Sequence, residues 1–420
     1  MKKKLFAIFG PILTALIALT ICASIEPKES PAVLEKASSS MNQSLLTGQV
    51  LKNKIFADRE YVPFFGSSEL NRFDLTHPSV LAKKYDRGYT PFLVGSAGTQ
   101  SLTQYSIMTS AQKEIGSKRK VVFIISPQWF VKGGVEPQYF AHWYSAVQVY
   151  SWLKQHSGQK QFNEEERYYA QRLLSFSVVS GSKKLSGYLE SIKDNKPLSK
   201  ASQGRIAITY QRLLREDRLF GHLGIKSNLG KINKYAKELP DDYDYQEISK
   251  LADYYGKKGT SSNKLGISNG FYKGRLQGNV KRYRGTQKSF DYRYSKEYSD
   301  FELVLNQLAD MKSDVLFVIT PVNAKWSQVT GLSQPMLQET AKKIQYQLKS
   351  QGFNNVVNFI DKGGDPYFMT DTIHIGWQGW LQLDRYVKPF LESPYKPTDY
   401  KINPYFYTKD WQNRNPNTIK

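Results

Sequence analysis

Two short motifs hold the residue types that acyl chemistry needs. Gly66-Ser67-Ser68-Glu69 stands where an apolar run ends and a helical pattern begins, a placement that exposes a hydroxyl and aims backbone N–H groups at whatever it attacks. Asp371-Thr372-Ile373-His374 follows the last apolar run and precedes a helix predicted over residues 377–390. Three residues of separation let one turn bring a carboxylate to a ring nitrogen, which fixes the imidazole tautomer and stabilises the imidazolium formed on proton uptake. Each motif also has a plain structural reading, Ser68 as a helix N-cap and Asp-x-x-His as a polar turn. Both fall at carboxyl ends of predicted strands, the edge where open parallel sheets place their sites, and that coincidence favours Ser68, His374 and Asp371 as nucleophile, base and orienting acid. The other histidines stand in weaker settings: His77 before Pro78 in a loop, His142 and His156 in helical stretches, His222 beside Gly221.

Positioning those residues requires a sheet. Apolar runs predict strands over residues 61–65, 91–94, 121–125, 315–319 and 356–360, with helical spacing over 99–115, 301–311 and 335–348. Alternating strands and helices with apolar strand cores imply an α/β fold, a parallel sheet covered on both faces. Residues 133–299 interrupt the alternation and read as a largely helical insertion, with helices expected over 139–154 and 163–179. No internal repeat or long low-complexity tract is present.

The 420 residues are 40% hydrophobic and 14% aromatic, which excludes disorder throughout. A single cysteine, Cys22, excludes an intrachain disulfide framework, and neither a structural metal nor a cofactor is expected. Lys2, Lys3 and Lys4 precede residues 5–25, which carry no charge and are long enough to cross a bilayer as one helix. The positive-inside rule then puts the N-terminus in the cytoplasm and the body outside the cell membrane. A cleaved signal peptide ending near Cys22-Ala23-Ser24 is the alternative, and lipidation at Cys22 is disfavoured by the bulk of Ile21. Residues 26–53 read as a stalk, and residues 54–420 as the extracytoplasmic domain.

The formal net charge is +22, and it is unevenly spread. Residues 257–296 hold eleven basic residues and one acid, Asp291, interleaved with Phe271, Tyr272, Tyr283, Phe290, Tyr292 and Tyr294. Its glycines make the segment loop-like. Such a segment is either a solvated basic surface or a polyanion groove, with Lys281, Arg282 and Arg284 as its densest cluster. Outside a membrane the abundant linear polyphosphates are cell-wall polymers rather than nucleic acid.

The block pattern resembles the SGNH hydrolase family, which carries Ser, Gly, Asn and Asp-x-x-His in successive blocks on a flavodoxin-like sheet. Ser68 takes the first position, Gly95 the second, and Asp371 and His374 the last. The third block departs, because Ser126-Pro127-Gln128-Trp129-Phe130 stands where the family has Gly-x-Asn-Asp. The resemblance therefore implies an oxyanion hole from Ser68, Gly95 and Gln128, with Asn323 a lesser candidate. The N-terminal anchor, Phe65-Gly66-Ser67-Ser68-Glu69-Leu70, the Ser126 to Phe130 block and Asp371-x-x-His374-x-Gly376-Trp377 together resemble, over nearly the whole chain, the DltD family of Gram-positive bacteria. That resemblance implies transfer of D-alanine onto teichoic or lipoteichoic acid hydroxyls through a Ser68 acyl-enzyme. It also implies as partners a membrane O-acyltransferase, DltB, a small membrane peptide, DltX, and indirectly a D-alanyl carrier protein. The alternatives are an esterase that passes the acyl group to water, and a non-catalytic scaffold in which Ser68 and His374 are remnants.

Overall fold

The computed structural model describes residues 9–15, 17, 29–396 and 398–419. Five apolar runs form strands β1 (Tyr61–Phe65), β2 (Thr90–Val94), β3 (Lys120–Ile125), β4 (Asp314–Ile319) and β5 (Val356–Asn358). All pair in parallel in the order β2-β1-β3-β4-β5, the flavodoxin-like arrangement. Parallel strands need crossover helices that cover both faces, which is why nearly every strand residue is apolar and buried.

Six helices matter below: α1 (Ser101–Ser110), α2 (Lys200–Phe220), α3 (Tyr245–Gly259), α4 (Glu297–Asp310), α5 (Gln334–Lys349) and α6 (Trp377–Glu392). Successive strand side chains point to opposite faces. Phe65, Val94, Phe123 and Phe317 pack with Leu102 of α1, Phe301 of α4 and Ile344 of α5. Phe64, Leu93, Val122 and Val318 pack with Trp380, Leu383 and Val387 of α6.

Between β3 and α4 the chain is helical from Pro137–Trp143 to α3. The helix expected over 139–154 is broken at Tyr144, where Ser145 starts a new helix by accepting the Gln148 N–H at 3.2 Å. From Thr260 to α4 only short turns occur, so the basic segment is loop-like as its glycines imply.

Two further expectations are revised, and a third lies largely outside the described residues. The last strand ends at Asn358, because the Asn358 side chain accepts the Ile360 N–H at 3.0 Å and starts the 3-10 turn Ile360–Gly364. The expected stalk is folded onto the body from Ala37 onward, with Leu45, Leu46 and Leu51 in the core and Lys52 fully buried. The predicted membrane span over residues 5–25 lies for the most part outside the described residues, and among the described residues no helix is long and apolar enough to cross a membrane.

The C-terminal tail packs across α5. Lys343 donates to the carbonyls of Arg293 (2.8 Å), Gln412 (3.2 Å) and Arg414 (3.0 Å), and its ammonium lies over the rings of Tyr298 and Trp411. Burial lowers its pKa to about 7.

Candidate active site

The switch point of this sheet lies between β1 and β3, where crossovers leave in opposite directions and open a crevice at the carboxyl edge. Ser68 follows β1 and Gln128 follows β3, so the two flank that crevice. Gly95 follows β2 on the other side of Ser68.

The turn after β1 is built from its own motif. Glu69 folds back so that its Oε1 accepts the Ser67 N–H at 2.6 Å, and a Cβ at position 66 would lie 2.4 Å from that oxygen. A side chain at residue 66 would therefore displace the Glu69 carboxylate, which holds the bend on which Ser68 sits. The Gly66 carbonyl accepts from the Gln104 amide (2.8 Å) and the Thr99 hydroxyl (3.0 Å), while Ser67 Oγ donates to Ser96 O at 3.0 Å. Gly95 is confined by the same contact, since a Cβ there would approach Gly66 O to 2.2 Å. Its small size thus lets the ends of β1 and β2 meet.

Asp371 and His374 occupy a loop fixed from three sides. Thr370 N–H donates to His374 O (2.8 Å), Asn323 N–H to Thr372 O (3.1 Å) and Ser268 N–H to Thr370 O (2.8 Å). Ser68 Oγ lies 2.7 Å from His374 Nε2, and His374 Nδ1 lies 2.9 and 2.8 Å from the two Asp371 oxygens. The Ile373 and His374 N–H groups also donate to Asp371, at 3.0 and 3.1 Å. An ionised carboxylate only accepts, so Nδ1 carries the proton and Nε2 is free to accept from Ser68. Arg72 Nε is 3.2 Å from both His374 Nδ1 and Asp371 Oδ2. With Nδ1 protonated, only the carboxylate can accept, so Arg72 donates to Asp371.

Burial opposes the Asp371 charge, but His374, Arg72 and the Ile373 N–H outweigh it and hold the carboxyl below its usual range. Burial has the upper hand at Glu69 and raises it, although the Ser67 N–H, His374 and Arg72 pull the other way. This arrangement can take a proton from a serine hydroxyl, hold it on an imidazolium and return it to a leaving group.

The structure brings together Ser68, His374 and Asp371 as the spacing suggests. Gln128 has its Oε1 engaged by the Ser126 hydroxyl, while its buried Nε2 has no protein partner. Asn323 is otherwise occupied: its Oδ1 caps the helix Ala324–Thr330 by accepting the Trp326 N–H at 3.0 Å, and its Nδ2 donates to Leu265 O. It is set aside as an oxyanion donor. His77 is buried and caps the helix Pro78–Lys84, with burial lowering its pKa to about 3.

Arg72 and Glu69 are the residues that sequence reasoning missed, although both lie within four positions of Ser68 in Ser-Glu-Leu-Asn-Arg.

The basic segment borders the same edge. Lys281, Arg282 and Arg284 are exposed, and none forms an ion pair among the described residues. Their turn sits on the helix that Asn323 caps: Tyr283 packs on Trp326, Gly285 N–H donates to Val329 O and Gln287 N–H to Thr330 O. Beside it Lys132, Phe290, Tyr292, Tyr294 and Asn413 line a cleft of about 530 Å³.

The DltD protein family matches residues 38–392. Protein DltD of Lacticaseibacillus rhamnosus is 41% identical over 422 aligned residues, covering 99% of this chain and 98% of its own. This chain belongs to the DltD family.

Two further DltD proteins align along most of their length. That of Bacillus subtilis (strain 168) is 33% identical over 94% of this chain and 98% of its own. That of Staphylococcus aureus (strain NCTC 8325 / PS 47) is 28% identical over 87% and 89%. The DltD match takes in Ser68, Gly95, Gln128, Asp371 and His374 together with the helical stretch between β3 and β4, so the site and the basic segment both lie inside the family's span.

Proposed function

We propose that this protein is a serine-dependent O-acyltransferase that moves D-alanyl groups onto hydroxyls of teichoic or lipoteichoic acid at the outer face of the cell membrane. The observation that carries the reading is the 2.7 Å contact between Ser68 Oγ and His374 Nε2, backed by Asp371. His374 takes the Ser68 proton as the oxygen attacks the acyl carbonyl of an activated donor, then passes it to the leaving group. A polymer hydroxyl, deprotonated by His374, attacks the Ser68 ester; the D-alanyl ester leaves on the polymer and Ser68 regains its proton. Backbone N–H groups of Ser68 and Gly95, with the unpartnered Gln128 amide, would hold the tetrahedral oxyanion.

Residues 5–25 anchor the chain with its N-terminus in the cytoplasm, and the membrane O-acyltransferase DltB, the peptide DltX and, indirectly, the D-alanyl carrier protein supply the donor. Lys281, Arg282 and Arg284 hold polymer phosphates. Family membership, an SGNH-like block order and an exposed basic turn packed on the helix after β4 support this reading. A serine-reactive fluorophosphonate tests the centre: Ser68 becomes labelled, and His374→Ala abolishes labelling. A gene deletion tests the direction of transfer, since a transferase predicts less D-alanine ester on the wall and a hydrolase predicts more. Wild-type ester levels in a Ser68→Ala strain would overturn the proposal.

A further inference from the structure

The turn that ends α2 presents two large apolar side chains to solvent, Phe220 at 58% and Leu223 at 63% exposure. It is held firmly: Asn42 Nδ2 donates to Gly224 O at 2.6 Å, Lys226 N–H donates to Asn42 Oδ1 at 3.2 Å, and Ile225 packs against the core. Asp217, at the base of the turn, accepts the N–H groups of Gln49 (2.8 Å) and Val50 (2.7 Å). Phe220 and Leu223 are therefore fixed outward and are not the frayed end of a helix.

The position of the turn says what covers it. His222, between the two apolar residues, lies 2.9 Å from Glu29, which also pairs with Lys54. Glu29 is four residues beyond the end of the uncharged run at residue 25. Four residues span at most about 14 Å, so a membrane span ending at residue 25 would bring the bilayer surface within that reach of Glu29. Arg215, Arg218, Lys226 and Lys231 stand close to the turn in sequence, as does Arg212, which pairs with Glu216 at 3.6 Å; the acids there are Glu216, Glu29 on His222, and an Asp217 committed to the Gln49 and Val50 N–H groups. Apolar tips with a surplus of basic residues nearby suit an anionic bilayer surface, where rings and aliphatic chains enter the headgroup region and cations meet phosphate.

We infer that the turn over residues 220–224 is a second membrane contact, inserting Phe220 and Leu223 into an anionic phospholipid surface beside the anchor. The inference rests on residues 5–25 spanning the membrane. It has a consequence for the reaction centre, because hydrogen bonds run from the turn to the Ser68 edge. Ser44 Oγ donates to Leu223 O (3.4 Å), Gln43 Nε2 to His142 O (2.5 Å), Trp143 Nε1 to Ala97 O (2.9 Å) and Ser67 Oγ to Ser96 O (3.0 Å). A body held at two points cannot swing freely about its anchor, so Ser68 is presented to the bilayer in a restricted orientation.

The test uses the full chain in a Cys22→Ser background, reconstituted into vesicles containing phosphatidylglycerol. An environment-sensitive fluorophore is placed by Leu223→Cys, or by Ile208→Cys as a control that is 73% exposed and about 18 Å back along α2. With a quencher attached to lipid headgroups, the label at position 223 is expected to lose most of its emission and shift to the blue, and the label at 208 to change little. Adding Phe220→Asp should reverse the change at 223 while the chain still floats with the vesicles. A chain that does not float defeats the anchor itself. Floating with no quenching at 223, equal quenching at 208, or quenching that disappears as the chain is diluted in the bilayer overturns the turn contact alone. The last of these would assign the surface to a second copy of the chain.

Discussion

Ser68 follows β1, Arg282 belongs to a turn packed on the helix that follows β4, and their surroundings differ in kind. Around Ser68 the polar groups of the triad and its turn are partnered: Glu69 sets the bend, Gln104 and Thr99 pin Gly66, and Asp371 receives two backbone N–H groups besides His374 and Arg72. Around Arg282 the cations stand in solvent on a short turn, without ionic partners among the described residues. Proton transfer needs atoms fixed in a partly dry place, because each donor is worth more there and no reorganisation is required. Capturing a long polyanion needs the opposite, charges free to follow the chain and to release counterions. The comparison teaches that the two surfaces should fail independently.

The largest effect is expected at the orienting acid. Asp371→Asn should slow fluorophosphonate labelling of Ser68 by on the order of 10³ to 10⁴ while polymer binding stays near wild type, since the wrong tautomer disables the base. A comparable loss of polymer affinity would merge the two surfaces into one. Next is the amide beside the crevice: Gln128→Leu should reduce the acylation rate by roughly 10² through loss of an oxyanion donor, as read by donor turnover under saturating conditions. An unchanged rate would leave the oxyanion to backbone groups.

Replacing Lys281, Arg282 and Arg284 together by Gln should weaken teichoic acid binding and lower the slope of log affinity against log salt by about 2 to 3, by analogy with phosphate contacts on nucleic acid. Labelling of Ser68 should be unaffected. If affinity and slope both hold, the polymer binds elsewhere.

The smallest effect separates buried acids by their partners. Asp371, held below the usual carboxyl range by His374 and Arg72 against the cost of burial, contributes stability above its unfolded pKa that is lost as pH falls through the folded value. Glu165 and Glu302 are buried with neutral donors only, Tyr105 and Asn306 for one, Gln347 and Gln351 for the other, and burial raises each to about 8. Their contribution is complete below the ordinary carboxyl value and is lost as pH rises from there toward about 8. Denaturant titrations should therefore show Asp371→Asn flattening the acid limb, and Glu165→Gln with Glu302→Gln flattening the limb between pH 5 and pH 8, by about 1 kcal/mol or more per pH unit.

The strands were legible because a parallel sheet buried on both faces leaves an uninterrupted apolar run, as in residues 121–125 and 315–319. Ser68, Asp371 and His374 were legible because Gly-Ser and Asp-x-x-His are local patterns tied to strand ends. Arg72 and Glu69 were not: the role of Arg72 arises only when the turn at Ser68 meets a loop 306 residues away, and that of Glu69 from a carboxylate folded back onto the Ser67 N–H, which spacing alone does not mark. Asn323 misled because an asparagine after a strand also suits a helix cap, and the next helix claimed it. Residues 26–53 read as a stalk because they are rich in Ser, Lys and Gln, yet Leu45, Leu46 and Leu51 sufficed to draw the segment into the core from Ala37 onward.

The Lys343 ammonium fastens two stretches that are far apart in the chain, the end of the basic segment at Arg293 and the tail at Gln412 and Arg414. A carboxypeptidase working inward from the C-terminus would remove first the Arg414 carbonyl and then the Gln412 carbonyl, leaving a buried cation with a single oxygen partner. Asn413, which lines the cleft beside Phe290 and Tyr292, would go with them. Trimming the tail would thus loosen the end of the basic segment at Arg293 and open the cleft beside it, and a bulky fusion placed there would strain the same fastening.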